Sequence, residues 1–126
     1  MNMFFIGRKK LPLENMSHFK QLPEFEKEFL RLSKRYRSLS EDIKKFERFI
    51  LENPTGLGKN FTIIHSREDI KIIKARMMCR SLKDRSIRII YAHHEDTLTF
   101  MYIEMYFKGD KENEDRIRIG KYLKSF

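Results

Sequence analysis

The stretch Ile70 to Lys108, IKIIKARMMCRSLKDRSIRIIYAHHEDTLTFMYIEMYFK, leaves this chain few ways to fold. Three apolar runs, 70–79, 86–92 and 97–107, are rich in Ile, Met, Tyr and Phe and are joined by short polar connections. Branched and aromatic side chains in runs of that length favour strands, and short links favour antiparallel neighbours. A period of two then sorts the side chains. Ile73, Ala75, Met77 and Cys79 share one face of the first run, against Ile72, Lys74, Arg76 and Met78. Ile87, Ile89 and Tyr91 oppose Arg88 and Ile90. In the third run Met101, Ile103, Met105 and Phe107 oppose Tyr102, Glu104, Tyr106 and Lys108. The expected sheet has one apolar face and one face carrying Lys74, Arg76, Arg88, Tyr102, Tyr106 and Lys108. A cationic face with aromatic rings suits a phosphate backbone and stacked bases.

The flanking sequence supplies helices. Phe25, Phe29, Leu32 and Tyr36 fall on one helical face, with Pro23 in the first turn and Glu24 and Glu26 near its positive end. Ser40 is the expected cap of a second helix with the stripe Ile43, Phe46 and Ile50. Asn53-Pro54 ends it, and Gly56 and Gly58 open a loop. His18 to Leu22 is a short first strand and FTIIH, 61–65, another. After Lys108 a polar turn leads to a last helix with Ile119, Tyr122, Leu123 and Phe126 on its apolar side. The order is β-α-α-β-β-β-β-α: an α+β fold, a twisted antiparallel sheet with a two-helix hairpin on one face and a C-terminal helix. Residues 1–17 fit no period and read as an N-terminal extension before a single domain, 18–126.

Charge narrows the partners. Lys and Arg number 27 against 18 Asp and Glu, a formal net charge of +9, which favours polyanions over a membrane surface. Between Lys71 and Arg88 the bases Lys71, Lys74, Arg76, Arg80, Lys83, Arg85 and Arg88 face only Asp84, so this run reads as a binding surface. Cys79 is the single cysteine. With no disulfide framework, a reducing cytoplasm is the expected setting, and the strand position makes Cys79 a buried, inert thiol.

The paired helices ending in Leu51-Glu-Asn-Pro54, then Ile73-Lys-Ala-Arg76, Ser86-Ile-Arg-Ile-Ile-Tyr91, Phe100-Met-Tyr-Ile-Glu-Met-Tyr-Phe-Lys108 and Lys111-Glu-Asn-Glu114 at the opening of the last helix follow one another in a telling order. From about Phe19 to Leu123 the chain resembles the RelE/ParE superfamily of type II toxin–antitoxin toxins. The resemblance implies a cytoplasmic toxin held by a cognate acidic antitoxin. Its RelE-like branch is a ribosome-dependent mRNA endoribonuclease (an mRNA interferase). Its ParE-like branch inhibits DNA gyrase, and an inactive antitoxin-binding member is a further alternative. In the RelE-like branch basic strand residues hold the scissile phosphate; Lys74, Arg76 and Arg88 match those positions, and Lys108 lies near another. The chain departs from that branch in having neither Tyr nor His within 112–118.

Cleavage by a 2′-hydroxyl needs a base, cations for the crowded phosphorane and an acid for the leaving oxygen. Arg76 and Arg88 suit the grip on phosphate, and Lys74 suits a point charge or proton donor. Such chemistry calls for no metal and no small-molecule cofactor. Lys71, Arg80 and Arg85 extend the RNA-binding surface, with Tyr102 and Tyr106 as stacking rings or sheet packing. Glu104 reads first as an ion pair to Arg88 or Arg76 and second as an acid or base. His93 and His94 read as exposed turn residues, and Gly56-Leu-Gly-Lys59 lacks the phosphate-loop pattern.

Overall fold

A computed structural model describes residues 18–83 and 85–126. The extension expected at 1–17 lies outside them. Strand β1 (Phe19–Gln21) leads into helices α1 (Pro23–Arg35) and α2 (Leu39–Glu52). Strands β2 (Phe61–Arg67), β3 (Ile70–Met78), β4 (Ser86–His94) and β5 (Thr99–Phe107) follow, and helix α3 (Arg116–Lys124) closes the chain. The expected element order is the observed one. The sheet order is β1-β5-β4-β3-β2. Four strands are antiparallel, but β1 runs parallel to β5. The sheet is therefore mixed, because the helical hairpin carries the chain from one edge of the sheet to the other.

Both faces of the sheet are apolar, a departure from the single apolar face expected. On one side Phe25, Leu32, Leu39, Phe46 and Ile50 of the hairpin pack on Ile73, Ala75, Met77, Ile87, Ile89 and Tyr91. On the other, Ile119, Tyr122 and Leu123 of α3 cover Ile72, Ile90, Ala92 and Ile103. The alternation in β3 and β4 falls as the sequence sorts it. Burying these two layers removes apolar surface from water, which is the main drive to fold. Cys79 is fully buried.

The phase of β5 changes midway. Ile90 pairs with Glu104, but Tyr91 pairs with Tyr102, so Ile103 is an extra residue. A bulge of this kind reverses which side chains face which layer. Met105 and Phe107 face the hairpin below it, and Phe100 and Tyr102 face the hairpin above it. Tyr102 is thus on the opposite face from the one that strict alternation assigns. Its ring stacks on Phe25 at 4.8 Å, and its hydroxyl donates to Glu47 at 3.1 Å.

Element boundaries moved for local reasons. Ser38, not Ser40, stands at the start of α2, and its hydroxyl donates to the Asp42 carboxylate at 2.6 Å. Residues 111–114 do not open α3; Asp115 caps it, accepting from the Arg118 N–H at 3.0 Å. β4 runs on through His93 and His94, which are buried rather than exposed in a turn. His93 stacks on Phe100, and His94 hydrogen-bonds the Tyr122 hydroxyl. The loop after α2 needs Gly56: its φ is +79°, and a Cβ there would lie 1.9 Å from the Phe61 ring. Among the described residues no helix is long and apolar enough to cross a membrane.

Candidate nucleic-acid interface

The α3 side of the sheet is only partly covered. Helix α3 lies over Ile72, Ile90 and Ile103, which leaves polar positions of β3 and β4 at the open end. Two cross-strand rows run there. One is Thr62, Lys74, Ile90 and Glu104; the other is Arg76, Arg88 and Tyr106. Even-numbered positions of β3 and β4 bring Lys74, Arg76 and Arg88 to this face, as the alternation predicts.

Arg76 and Arg88 are directly opposite one another on neighbouring strands. Like charges so placed repel. Arg76 is exposed and Arg88 half-buried. Arg88 donates to the Ser86 hydroxyl at 2.7 Å. Among the described residues neither guanidinium pairs with a carboxylate. Burial, and then the charge of Arg76, hold the Arg88 guanidinium below its ordinary range. Among the described residues its charge is therefore short of compensation.

Beside this pair is a cleft of about 300 Å³ lined by Lys59, Asn60, Thr62, Lys74, Arg76 and Arg116, with Glu114 at its wall. Lys74 donates to Glu114 at 3.0 Å, and Arg116 reaches the other carboxylate oxygen at 3.2 Å. Burial pushes Glu114 up, but its own backbone N–H, Lys74 and Arg116 more than offset that and hold it below the usual carboxylate range. Tyr106 is buried, and burial raises its hydroxyl above the ordinary value. Its ring packs beside Ile90 and Ile103, so it is not an exposed stacking platform.

Several expected site residues lie elsewhere. Glu104 is fully buried and pairs with Lys111 and the Asp115 N–H, not with Arg88 or Arg76. Tyr102 is in the hairpin core. Lys71 pairs with Glu95 at 3.1 Å, next to His93 at the far end of the sheet. Arg80 binds Asp42 at 3.2 Å and ties the 3₁₀ turn Arg80–Leu82 to α2. Arg85 lies over the Phe107 ring, and Lys108 is exposed in the turn after β5. Glu114, Arg116, Lys59 and Lys111 were not expected as site residues: Lys111 and Glu114 stood only in the run read as opening the last helix, and Lys59 in the rejected Gly56-Leu-Gly-Lys59.

Among the described residues no group of three His, Cys, Asp or Glu side chains could hold a metal ion. What the cleft can do is bind an anion with several charge-assisted donors at once. No family model, curated protein or solved structure matches the chain.

Proposed function

We propose that the protein is the toxin of a type II toxin–antitoxin module, a ribosome-dependent mRNA endoribonuclease that uses the 2′-hydroxyl of its substrate as nucleophile. One observation carries this reading: Arg76 and Arg88 stand opposite each other beside Lys74, and among the described residues neither pairs with a carboxylate. Two facing guanidinium groups are costly unless an anion joins them, and a phosphodiester fits their forked donors. In the reaction they hold the non-bridging oxygens as negative charge develops on the phosphorane. Lys74 supplies a further point charge or a proton. The +9 charge suits both an RNA-rich target and an acidic antitoxin.

Primer extension on ribosome-bound mRNA tests the reading. The wild type should yield discrete stops. Arg88→Ala should lower the cleavage rate about 10²–10³-fold, the usual cost of one donor aimed at developing charge. Far-UV circular dichroism should find that variant folded. Full cleavage by Arg88→Ala would remove the site assignment.

A second reading, a ParE-like inhibitor that binds gyrase, is favoured by a different feature. A groove of about 540 Å³ between α2 and the β2–β3 edge is lined by Phe49, Leu57, Phe61 and Met78. Leu57 and Met78 are 64% and 70% exposed, an apolar surface suited to a protein partner. Lost DNA supercoiling without mRNA cleavage would select it.

A further inference from the structure

The cleft already contains an anion, and close to its Lys74 and Glu114 is a buried donor whose proton has no acceptor among the described residues. The anion is Glu114, whose two oxygens face Lys74 and Arg116. It lies in the non-helical segment between β5 and α3, while its partner Arg116 is 84% exposed at the side chain. The donor is Tyr106. Its hydroxyl is buried in a residue that is only 3% exposed, and among the described residues nothing accepts its proton. It sits in the fields of Lys74, Glu114 and Glu104. The neighbouring Lys74 ammonium can only donate, so among the described residues the tyrosyl proton has no acceptor. Buried polar groups are almost always satisfied, and an unpaired one beside a cationic cleft points to a missing ligand.

We infer that Glu114 is an internal stand-in for a phosphate. An incoming phosphodiester displaces its carboxylate, takes over Lys74 and Arg116, and accepts the hydrogen bond that Tyr106 offers. The cleft is then a capped oxyanion site, and Glu114 sets a threshold that only a polyanion with further contacts to Arg76 and Arg88 overcomes. The inference rests on the cationic face being a phosphate surface, but not on cleavage.

The probe is a fluorescein-labelled single-stranded 2′-O-methyl RNA of about ten nucleotides, a length within the usual single-strand footprint and unable to be cleaved. Fluorescence anisotropy across a salt series reads its affinity. Glu114→Gln should bind roughly five- to tenfold more tightly, with a salt slope steeper by about 0.7, as one more phosphate is neutralised. Glu112→Gln removes the same charge from an exposed position outside the cleft and should tighten binding less than about twofold. Tyr106→Phe should weaken binding about tenfold while its melting temperature is unchanged or higher, since the lost hydroxyl had no partner. Weaker or equal binding by Glu114→Gln would overturn the inference, as would equal gains from Glu112→Gln or full affinity in Tyr106→Phe. Primer extension stays the separate test of nuclease activity, so absent cleavage with these affinity changes retains the cleft and rejects only the reaction.

Discussion

Glu104 shows how one side chain can be chemically prominent and structurally committed. It is a carboxylate with no exposure, in a strand whose neighbouring residues Ile103 and Met105 are apolar. Its oxygens are taken by the Lys111 ammonium and the Asp115 N–H, the latter at 2.7 Å. It thereby fixes the segment that carries Glu114 and the start of α3. Removing Lys111 strands a buried negative charge, and that is the expensive way to break an ion pair. Lys111→Ala should destabilise the protein by about 3 kcal/mol, toward the lower end because the lysine is partly exposed. Glu104→Gln keeps an acceptor for the Asp115 N–H and removes the charge, so it should cost about 1 kcal/mol. Urea denaturation of both variants checks the order. Equal losses would mean that the charge is irrelevant and only the hydrogen bond matters.

At the scale of elements, the notable joint is the one between α1, β5 and α3. β1 is short, and its last backbone bond on this side runs from the Leu22 N–H to the Tyr102 carbonyl at 3.0 Å. Past that point side chains finish the edge of β5. Arg118 donates to the Ile103 carbonyl at 2.9 Å, and the Met105 N–H donates to Glu28 at 3.0 Å. Arg118 and Glu28 then form a two-pronged pair at 3.0 and 2.9 Å. Both side chains are mostly buried, so the pair is little screened. It clamps the first and last helices across the bulge. Arg118→Ala and Glu28→Ala should each cost about 2–4 kcal/mol, because each leaves backbone groups and a charge unpaired. In a double-mutant cycle the coupling should exceed about 1 kcal/mol. Additive losses would show two independent contacts instead of one clamp.

Among the described residues that titrate at or below neutrality, the lowered ones, two histidines and three carboxylates, outnumber the raised Glu47. Burial lowers His93 and His94; Glu95 and the Thr99 backbone partly oppose this at His93, and Asp96 at His94, while Lys71 and Lys20 add to it. The unfolded chain therefore takes up protons first as pH falls below about 6.5, the ordinary histidine value. Stability is complete above that value and is lost as pH falls toward the depressed folded values. The lowered carboxylates Asp42, Glu114 and Asp115 extend the loss below their ordinary range. Glu47, raised by burial, works in the opposite direction. The urea midpoint should fall between about pH 7.5 and about pH 5.5, and the fall should shrink when both histidines are replaced by Gln. A midpoint that is flat in the parent protein would contradict the burial of this pair.

Local chemistry determined most of the elements. The 3.6-residue spacing of Phe25, Phe29 and Leu32, the Asn53-Pro54 stop and the period-two runs of β3 and β4 depend on neighbours in sequence, and each is legible without a fold. For the same reason Lys74, Arg76 and Arg88 could be placed on one face in advance. Tertiary structure decided the rest. Ile103 is an ordinary strand residue until β4 pairs with its neighbours and skips it, and the bulge there moves Tyr102 into the hairpin core. Glu104 met Lys111 instead of an arginine because the turn after β5 folds back over its own strand. His93 and His94 are buried because α3 and Phe100 close on them from opposite faces. Glu114 entered the cleft through a contact with Lys74, forty residues away in the chain. Periodicity says which way a side chain points, but only the packing of distant segments says what it meets there.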